Sequence, residues 1–358
     1  MIILGSTGSI GQNALFLAKK FNAKINALAC KSNYELLNAQ ISEFNPEFVY
    51  IKDPNLTKFI KHKSVFSGEI EPFLNACFEK FGKIKLINAF VGLDGLKPSL
   101  ISQKLGFELC LANKESLVAG GKFLDCDKII PIDSEHFGLK FLFKNSPKIS
   151  QMTITASGGA IYNLPKNADL SINTILNHPN WQMGKKITTD SATMVNKLFE
   201  VLEAYWLYGI KNISALIEST SQIHAIIDFE DGSSTAHFSA PDMRLAIAHA
   251  LNFGDQKIIS NIKFSGKSFK FEEIDLEKYP VFTLKDAVLQ NPNLGSVINS
   301  ANDIAVEKFL NQTCKFNDIS KIIFKTIEKF SSEQIGSFED IFELDLKIKN
   351  FINKLKFD

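Results

Sequence analysis

Two acids stand two residues apart in Asp133-Ser134-Glu135, directly after the apolar run Ile129-Ile130-Pro131-Ile132. Carboxylates just past the carboxyl end of a strand lie where open α/β sheets bind ligands. With no Cys or paired His beside them, such oxygens suit a hard cation, Mg2+ or Mn2+, although D-x-E is also a common surface pair. The adjoining His136 reads as structural rather than as a ligand. A third acid, Glu200, falls with Asn196 and Lys197 on one side of a helical segment. The rest of that segment is largely apolar: Met194, Val195, Leu198, Val201, Leu202 and Tyr205. A Lys-Glu pair three apart is ordinarily a solvated ion pair. A polar stripe on so apolar a helix, however, costs free energy unless it meets a partner or a ligand.

Three further stretches carry chemistry. Gly5-Ser6-Thr7-Gly8-Ser9-Ile10-Gly11 lies between a short apolar run and a helical pattern. Its spacing is a variant of the dinucleotide fingerprint, in which glycines allow a tight turn and the helix N-terminus faces a pyrophosphate. The alternative is a plain tight turn. After the second strand, NAD sites usually place an acid for the ribose 2′-hydroxyl. Here Cys30-Lys31-Ser32-Asn33 has none before Glu35, and Lys31 with Ser32 suits the 2′-phosphate of NADPH. Ser157-Gly158-Gly159 can form an anion-binding turn. His178-Pro179-Asn180-Trp181-Gln182-Met183-Gly184-Lys185-Lys186 has the composition of a lid, with Trp181 able to exclude water, or equally of a surface loop.

The elements that must position these residues follow from periodicity. Strands are expected at 2–4, 25–29, 48–51, 86–91, 107–111 and 129–132, alternating with helices at 12–21 and 33–43. That alternation predicts a Rossmann-like, doubly wound parallel sheet. The middle changes to an α+β pattern: a strand at 152–156, one long helix from Asp190 to Tyr208 started by an Asp190 or Ser191 cap, and antiparallel strands at 223–229, 234–238 and 262–264. Helices at 284–290, 295–310, 318–329 and 338–356 form a C-terminal helical bundle. The expected domains are a cofactor domain over 1–133, a catalytic α+β domain over 134–262, a connection over 263–282 and the bundle over 283–358.

Composition bounds the partners. With 358 residues, two or three domains are expected. Lys and Arg total 40 against 39 Asp and Glu, a net charge of +1, so no basic field points to nucleic acid. No apolar run is long enough to span a bilayer, and the first residues lack the pattern of a signal peptide. Five Cys (Cys30, Cys77, Cys110, Cys126 and Cys314) form no C-x-x-C pair, which argues against a disulfide scaffold and fits a reducing cytoplasm. Arg244 is the only arginine, so any other cationic phosphate contact falls to Lys.

Taken together, these pieces resemble the 1-deoxy-D-xylulose 5-phosphate reductoisomerase family. The resemblance rests on the 5–11 turn, Ala112-Asn113-Lys114-Glu115, 132–136, 156–159, 178–184 and 190–197 with Glu200, and is extended by Pro241-Asp242-Met243-Arg244 and 299–303. It implies a homodimeric, cytoplasmic, NADPH- and metal-dependent enzyme of the non-mevalonate isoprenoid route. The reaction would convert a phosphorylated ketose, by a retro-aldol/aldol rearrangement and reduction, to 2-C-methyl-D-erythritol 4-phosphate. It also implies that Asp133, Glu135 and Glu200 hold Mg2+ or Mn2+, with Co2+ as an alternative ion. Ser157, Ser191, Asn196 and Lys197 would hold the substrate phosphate, while Ser134, Lys114 and His178 would meet the substrate backbone under a flap bearing Trp181 and Met183. Thr7, Gly8, Ser9, Ile10, Asn33, Asn113, Glu115 and Gly184 would touch NADPH.

The chain departs from the family pattern in two places. The base after the second strand is shifted by one position at Lys31-Ser32, and Ala160-Ile161-Tyr162 follows the phosphate turn where Pro-Phe-Arg is common. Two rival readings remain on sequence alone: an NADP-linked dehydrogenase of the semialdehyde or homoserine type, and a non-catalytic cofactor-binding regulator.

Overall fold

The computed structural model describes residues 1–143, 148–165, 168–181 and 183–355. By its internal contacts the chain divides into two units. The first comprises Met1–Ser116, Lys122–Ser134 and Asp242–Ser260, and the second Leu117–Gly121, Glu135–Pro241 and Asn261–Asp358.

The first unit is built on seven strands: β1 (Ile2–Leu4), β2 (Ala27–Cys30), β3 (Phe48–Ile51), β4 (Val65–Ser67), β5 (Lys85–Asn88), β6 (Glu108–Leu111) and β7 (Ile130–Pro131). They pair in the order β4-β3-β2-β1-β5-β6-β7, and every pairing is parallel. The strands are short and apolar on both faces, as a parallel sheet covered on both sides requires. Ile3, Leu28, Val49 and Ile87 pack on one face with Leu15 and Leu17 of the helix Ser9–Lys20, Leu37 of Tyr34–Phe44 and Ile247 of Arg244–Ala250. On the other face Tyr50 meets Phe73 of the helix Glu71–Phe81, with ring centroids 5.5 Å apart. The chain leaves β1 in one direction through β2, β3 and β4, then returns to β5 on the other side of β1. That reversal opens a crevice at the carboxyl ends of β1 and β5, the ligand position in such sheets.

The second unit carries a four-stranded mixed sheet of β8 (Ile149–Ala156), β9 (Ile213–Ile217), β10 (Ile223–Phe229) and β11 (Ser234–Phe238), ordered β11-β10-β8-β9. Pairings with β10 are antiparallel, and β8 pairs β9 in parallel. The helix Val195–Tyr208 packs on β8 and β9. Three C-terminal helices, Leu294–Leu310, Phe316–Phe330 and Phe338–Ile352, pack on one another, and the first also meets the helix Lys185–Thr193.

Several sequence expectations need correction. The single helix expected over 190–208 is two helices, Lys185–Thr193 and Val195–Tyr208, broken at Met194 with φ 66°. Asp190 and Ser191 therefore lie inside the first helix and start neither. Residues 262–264 form no strand, and the sheet instead gains the unforeseen β9, parallel to β8. Within the stretch 263–282, Glu272 forms an isolated bridge to Ile217. The last helix ends at Ile352, and Lys356 lies outside the described residues.

Candidate active site

The Gly-rich turn sits where β1 meets the crevice. Gly5 adopts φ +83°, and its amide and that of Ser6 both donate to the Ala29 carbonyl, at 2.8 and 2.9 Å. A β-carbon on Gly11 would lie 2.3 Å from the Gly5 carbonyl oxygen, so only glycine lets the helix start so close to the turn. The helix Ser9–Lys20 has no acid in its first turn, which leaves its amino end electropositive. Asn33 Oδ1 caps the next helix by accepting from the Leu36 amide at 3.1 Å. Asn113 and Glu115 are buried beneath the loop after β5: Glu115 accepts from the Gly92 amide at 3.1 Å, and Asn113 donates to Glu115 and to the carbonyls of Phe90 and Gly92. These two side chains hold the loop after β5 in place.

Lys114 opens the helix Lys114–Gly120, and its ammonium is ion-paired with Asp133. Ser134 opens the helix Ser134–Phe143. In the second unit, Glu135 and Glu200 share Lys197: its Nζ lies 3.3 Å from Glu135 Oε1 and hydrogen-bonds Glu200 Oε2, while Asn196 donates to Glu200 Oε1. Glu200 is 1% exposed and Lys197 4%. The stripe is thus buried rather than solvated. Val195, Leu198, Val201 and Leu202 on the same helix gain about 1.5–3 kcal/mol each by burial. Desolvating two charges costs several kcal/mol per ion, so the helix can be buried only with those charges paired. The ammonium lies between two carboxylates, and their all-oxygen donor set fits a hard divalent ion. His136 is fully buried against Glu203 at 3.3 Å, as its structural reading expected.

A second polar group gathers around His178. Its Nε2 lies 3.0 Å from Ser157 Oγ and 3.3 Å from Ser191 Oγ, and its Nδ1 accepts from the amides of Asn180 and Trp181 at 3.1 and 3.0 Å. Two donors at Nδ1 assign the ring proton to Nε2. Burial pushes the imidazole down to about 4, so it is neutral at pH 7. The Ser157 turn comes this close because Gly159, at φ +63°, lies against the end of the helix Lys185–Thr193. The buried Tyr279 hydroxyl donates to the Gly158 carbonyl at 2.7 Å, and Tyr162 packs against Gly158 with its hydroxyl on Glu272. Tyr162 thereby braces the turn at the place where the sequence departs from the family. The break at Met194 then starts a fresh helix whose first turn carries Asn196 and Lys197.

The segment after His178 is tied down by Asn180, which donates to the Ser219 carbonyl and to Ser221 Oγ at 2.7 and 2.9 Å. Trp181 stands edge-on to His224, with centroids 6.3 Å apart. Gln182 lies outside the described residues, and Gly184 caps the following helix. Sequence reading missed His224, a buried ring 3.8 Å from Glu135 Oε1; the available signal was a titratable side chain inside the apolar run of β10. It read Asp190 only as a helix cap, whereas the buried carboxylate pairs with Lys186 at 2.9 Å and accepts from Asn302 at 2.8 Å.

The His178 geometry sets a pH dependence. The fold favours the neutral ring, so between about 6.5 and about 4 the unfolded chain binds a proton that the folded chain does not. Stability should fall as pH drops through that window and level off below it for this group. Urea unfolding of the wild type and of His178→Gln at pH 7 and pH 4.5 checks this: the variant should lose less stability on acidification, and equal losses would contradict the assignment.

Comparison with known proteins bears on the chain as a whole. Family models described as 1-deoxy-D-xylulose 5-phosphate reductoisomerase, its C-terminal domain, and DXP reductoisomerase C-terminal domain match residues 1–121, 129–208 and 238–351. The reductoisomerase of Campylobacter fetus is 56% identical over 356 residues, covering 98% of this chain and 99% of that protein. That of Campylobacter hominis is 55% identical over 358 residues, covering 98% of each. A crystal structure of DOX-P reductoisomerase in complex with NADPH, fosmidomycin and magnesium superposes with a TM-score of 0.88 at 30% identity, covering 98% of this chain and 97% of that one. The Zymomonas mobilis enzyme in complex with NADPH gives 0.86 at 29% identity, covering 99% of both chains. Matched across nearly its whole length, this chain belongs to the 1-deoxy-D-xylulose 5-phosphate reductoisomerase family.

Proposed function

We infer that this protein converts 1-deoxy-D-xylulose 5-phosphate to 2-C-methyl-D-erythritol 4-phosphate, an NADPH- and divalent-metal-dependent step of non-mevalonate isoprenoid precursor synthesis. The observation that carries the reading is the buried Glu135-Lys197-Glu200 cluster, held together at a cost that a structural helix has no need to bear. Asp133 is two residues from Glu135, so their Cα atoms stand within about 7 Å. We assign Asp133, Glu135 and Glu200 to one Mg2+ or Mn2+. A bound ion there supplies Lewis acidity toward the adjacent ketone and hydroxyl oxygens of the ketose.

The protein's own groups do the rest of the positioning. Ser157, Ser191, Asn196 and Lys197 take the phosphate, whose binding energy holds the reacting end in place. Neutral His178 keeps its Nε2 proton and orients the two serine hydroxyls. Lys114 and Ser134 meet the substrate backbone, and Trp181 with Met183 belongs to a flap that excludes water. Thr7, Gly8, Ser9, Ile10, Lys31, Ser32, Asn33, Asn113, Glu115 and Gly184 form the proposed NADPH surface. Residues 1–133 together with 242–260 serve the cofactor, 134–241 the chemistry and 283–358 the helical support, with 263–282 as the connection. A homodimer in the cytoplasm belongs to the same proposal; no helix among the described residues is long and apolar enough to cross a membrane. A family match over 98% of the chain and the buried carboxylates disfavour both a simple dehydrogenase and a non-catalytic regulator.

An NADPH-oxidation assay with 1-deoxy-D-xylulose 5-phosphate tests the whole reading. Turnover should need Mg2+ or Mn2+, should vanish with a chelator, and should favour NADPH over NADH by about tenfold or more. Undiminished turnover under chelator would remove the metal from the reaction, and equal efficiency with the two nucleotides would remove the cofactor assignment.

A further inference from the structure

β2 and β3 run in parallel with Cys30 paired to Ile51, so Lys31 and Lys52 leave adjacent strands side by side at the carboxyl edge of the sheet. The backbone continues that register: the Lys52 amide donates to the Cys30 carbonyl at 3.0 Å and the Asp53 amide to the Lys31 carbonyl at 3.3 Å. Both ammonium groups converge on Asp94, which lies in the turn Gly92–Gly95 after β5. Lys31 Nζ is 3.1 Å from Asp94 Oδ2, and Lys52 bonds Oδ1. The Lys31 side chain is 71% exposed and that of Lys52 44%, so both are open to a ligand.

We propose that Lys52 is a second recognition residue for the ribose 2′-phosphate of NADPH, acting with Lys31, and that Asp94 holds the two ammonium groups at one point until the nucleotide arrives. This rests on the NADPH reading above. The end of β2 is where dinucleotide-binding sheets read the ribose. No acid stands there to accept a 2′-hydroxyl, and the acid that reaches the place from after β5 is engaged by two positive charges. Two ammonium groups against one carboxylate leave an excess of positive charge. Exposed ion pairs of this kind are weakly held and exchange readily. A phosphate monoester carries about twice the charge of a carboxylate and three acceptor oxygens, so it replaces one clamp with a stronger one. Burial disfavours the Asp94 charge, yet Lys52 and Lys31 hold its carboxyl below the usual range, which shows how positive the point is. Lys52 also answers the displaced base at Lys31-Ser32: the charge comes from two neighbouring strands rather than from one loop.

The test compares adenosine 2′,5′-bisphosphate with 5′-AMP by calorimetry on the full-length protein. The wild type should bind the bisphosphate more tightly. Lys52→Gln should weaken the bisphosphate by about tenfold or more, leave 5′-AMP unchanged, and be restored by Lys52→Arg. Unchanged bisphosphate affinity in Lys52→Gln, or an equal loss for both nucleotides, would overturn the assignment of Lys52. Equal affinity of the wild type for both nucleotides would instead overturn the NADPH reading, and this proposal with it.

Discussion

Glu200→Gln should lower turnover by at least ~10³ and abolish tight Mn2+ binding while the protein stays folded. Gln keeps the size of Glu and its helix propensity, and its carbonyl can still accept from Asn196. Lys197 retains Glu135 at 3.3 Å, so the ammonium is not left without a carboxylate. Stability without metal should therefore fall by no more than about 3 kcal/mol. Losing a charged ligand to a Lewis-acidic ion removes several kcal/mol of transition-state stabilisation, and each 1.36 kcal/mol is a factor of ten. Calorimetry with Mn2+, turnover at saturating NADPH and thermal melting separate the two roles. A variant that loses stability but binds Mn2+ and turns over normally would make Glu200 only the partner of Lys197.

Gly159→Ala should raise KM for the phosphorylated substrate about tenfold or more and leave NADPH binding unaltered. A β-carbon at Gly159 would sit 2.7 Å from the Ser191 carbonyl oxygen and 2.8 Å from the Ala192 amide nitrogen and Cα. These are backbone atoms that no side-chain rotation can move aside. The left-handed φ of +63° adds about 1–2 kcal/mol of conformational cost for any residue with a β-carbon. Crowding of this kind adds about 1–3 kcal/mol. The turn must withdraw from the helix end, so Ser157 and Ser191 can no longer share His178 Nε2. Substrate kinetics alongside an NADPH titration reads the result; a KM within twofold of wild type would show that the turn does not hold phosphate.

Much of the first unit was legible because its signals are local. Three glycines between an apolar triplet and a helical pattern leave few conformations for residues 5–11, and the strand series 2–4, 48–51 and 107–111 gives the parallel sheet. The chemistry-bearing blocks were legible as a set, since their residue types have few joint explanations. What stayed hidden was non-local or unsignalled. Residues 190–208 read as one helix because Met194 carries none of the composition of a left-handed position, which glycine or Asn usually takes. Residues 262–264 alternate like a strand but find no partner, whereas Ile213–Ile217 does so beside β8. That Lys197 and Glu200 face inward could be argued only from the cost of exposing their apolar neighbours.

The helix Arg244–Ala250 has a consequence for how the protein is made. It is part of the first unit, yet it follows Ser134 in the chain by more than a hundred residues that belong to the second. Ile247, Ala248, Ala250 and Leu251 complete the same apolar layer as Ile3, Leu15 and Leu28, and the Ala250 carbonyl accepts from Lys85 Nζ at 2.6 Å. A ribosome adding about 5–20 residues per second emits the seven strands several seconds before the segment that seals them. Through that interval the part of the apolar layer that Ile247, Ala248, Ala250 and Leu251 cover stays open to water. A chain stalled or cut before residue 242 is thus an aggregation-prone species, and the first unit cannot mature ahead of the rest.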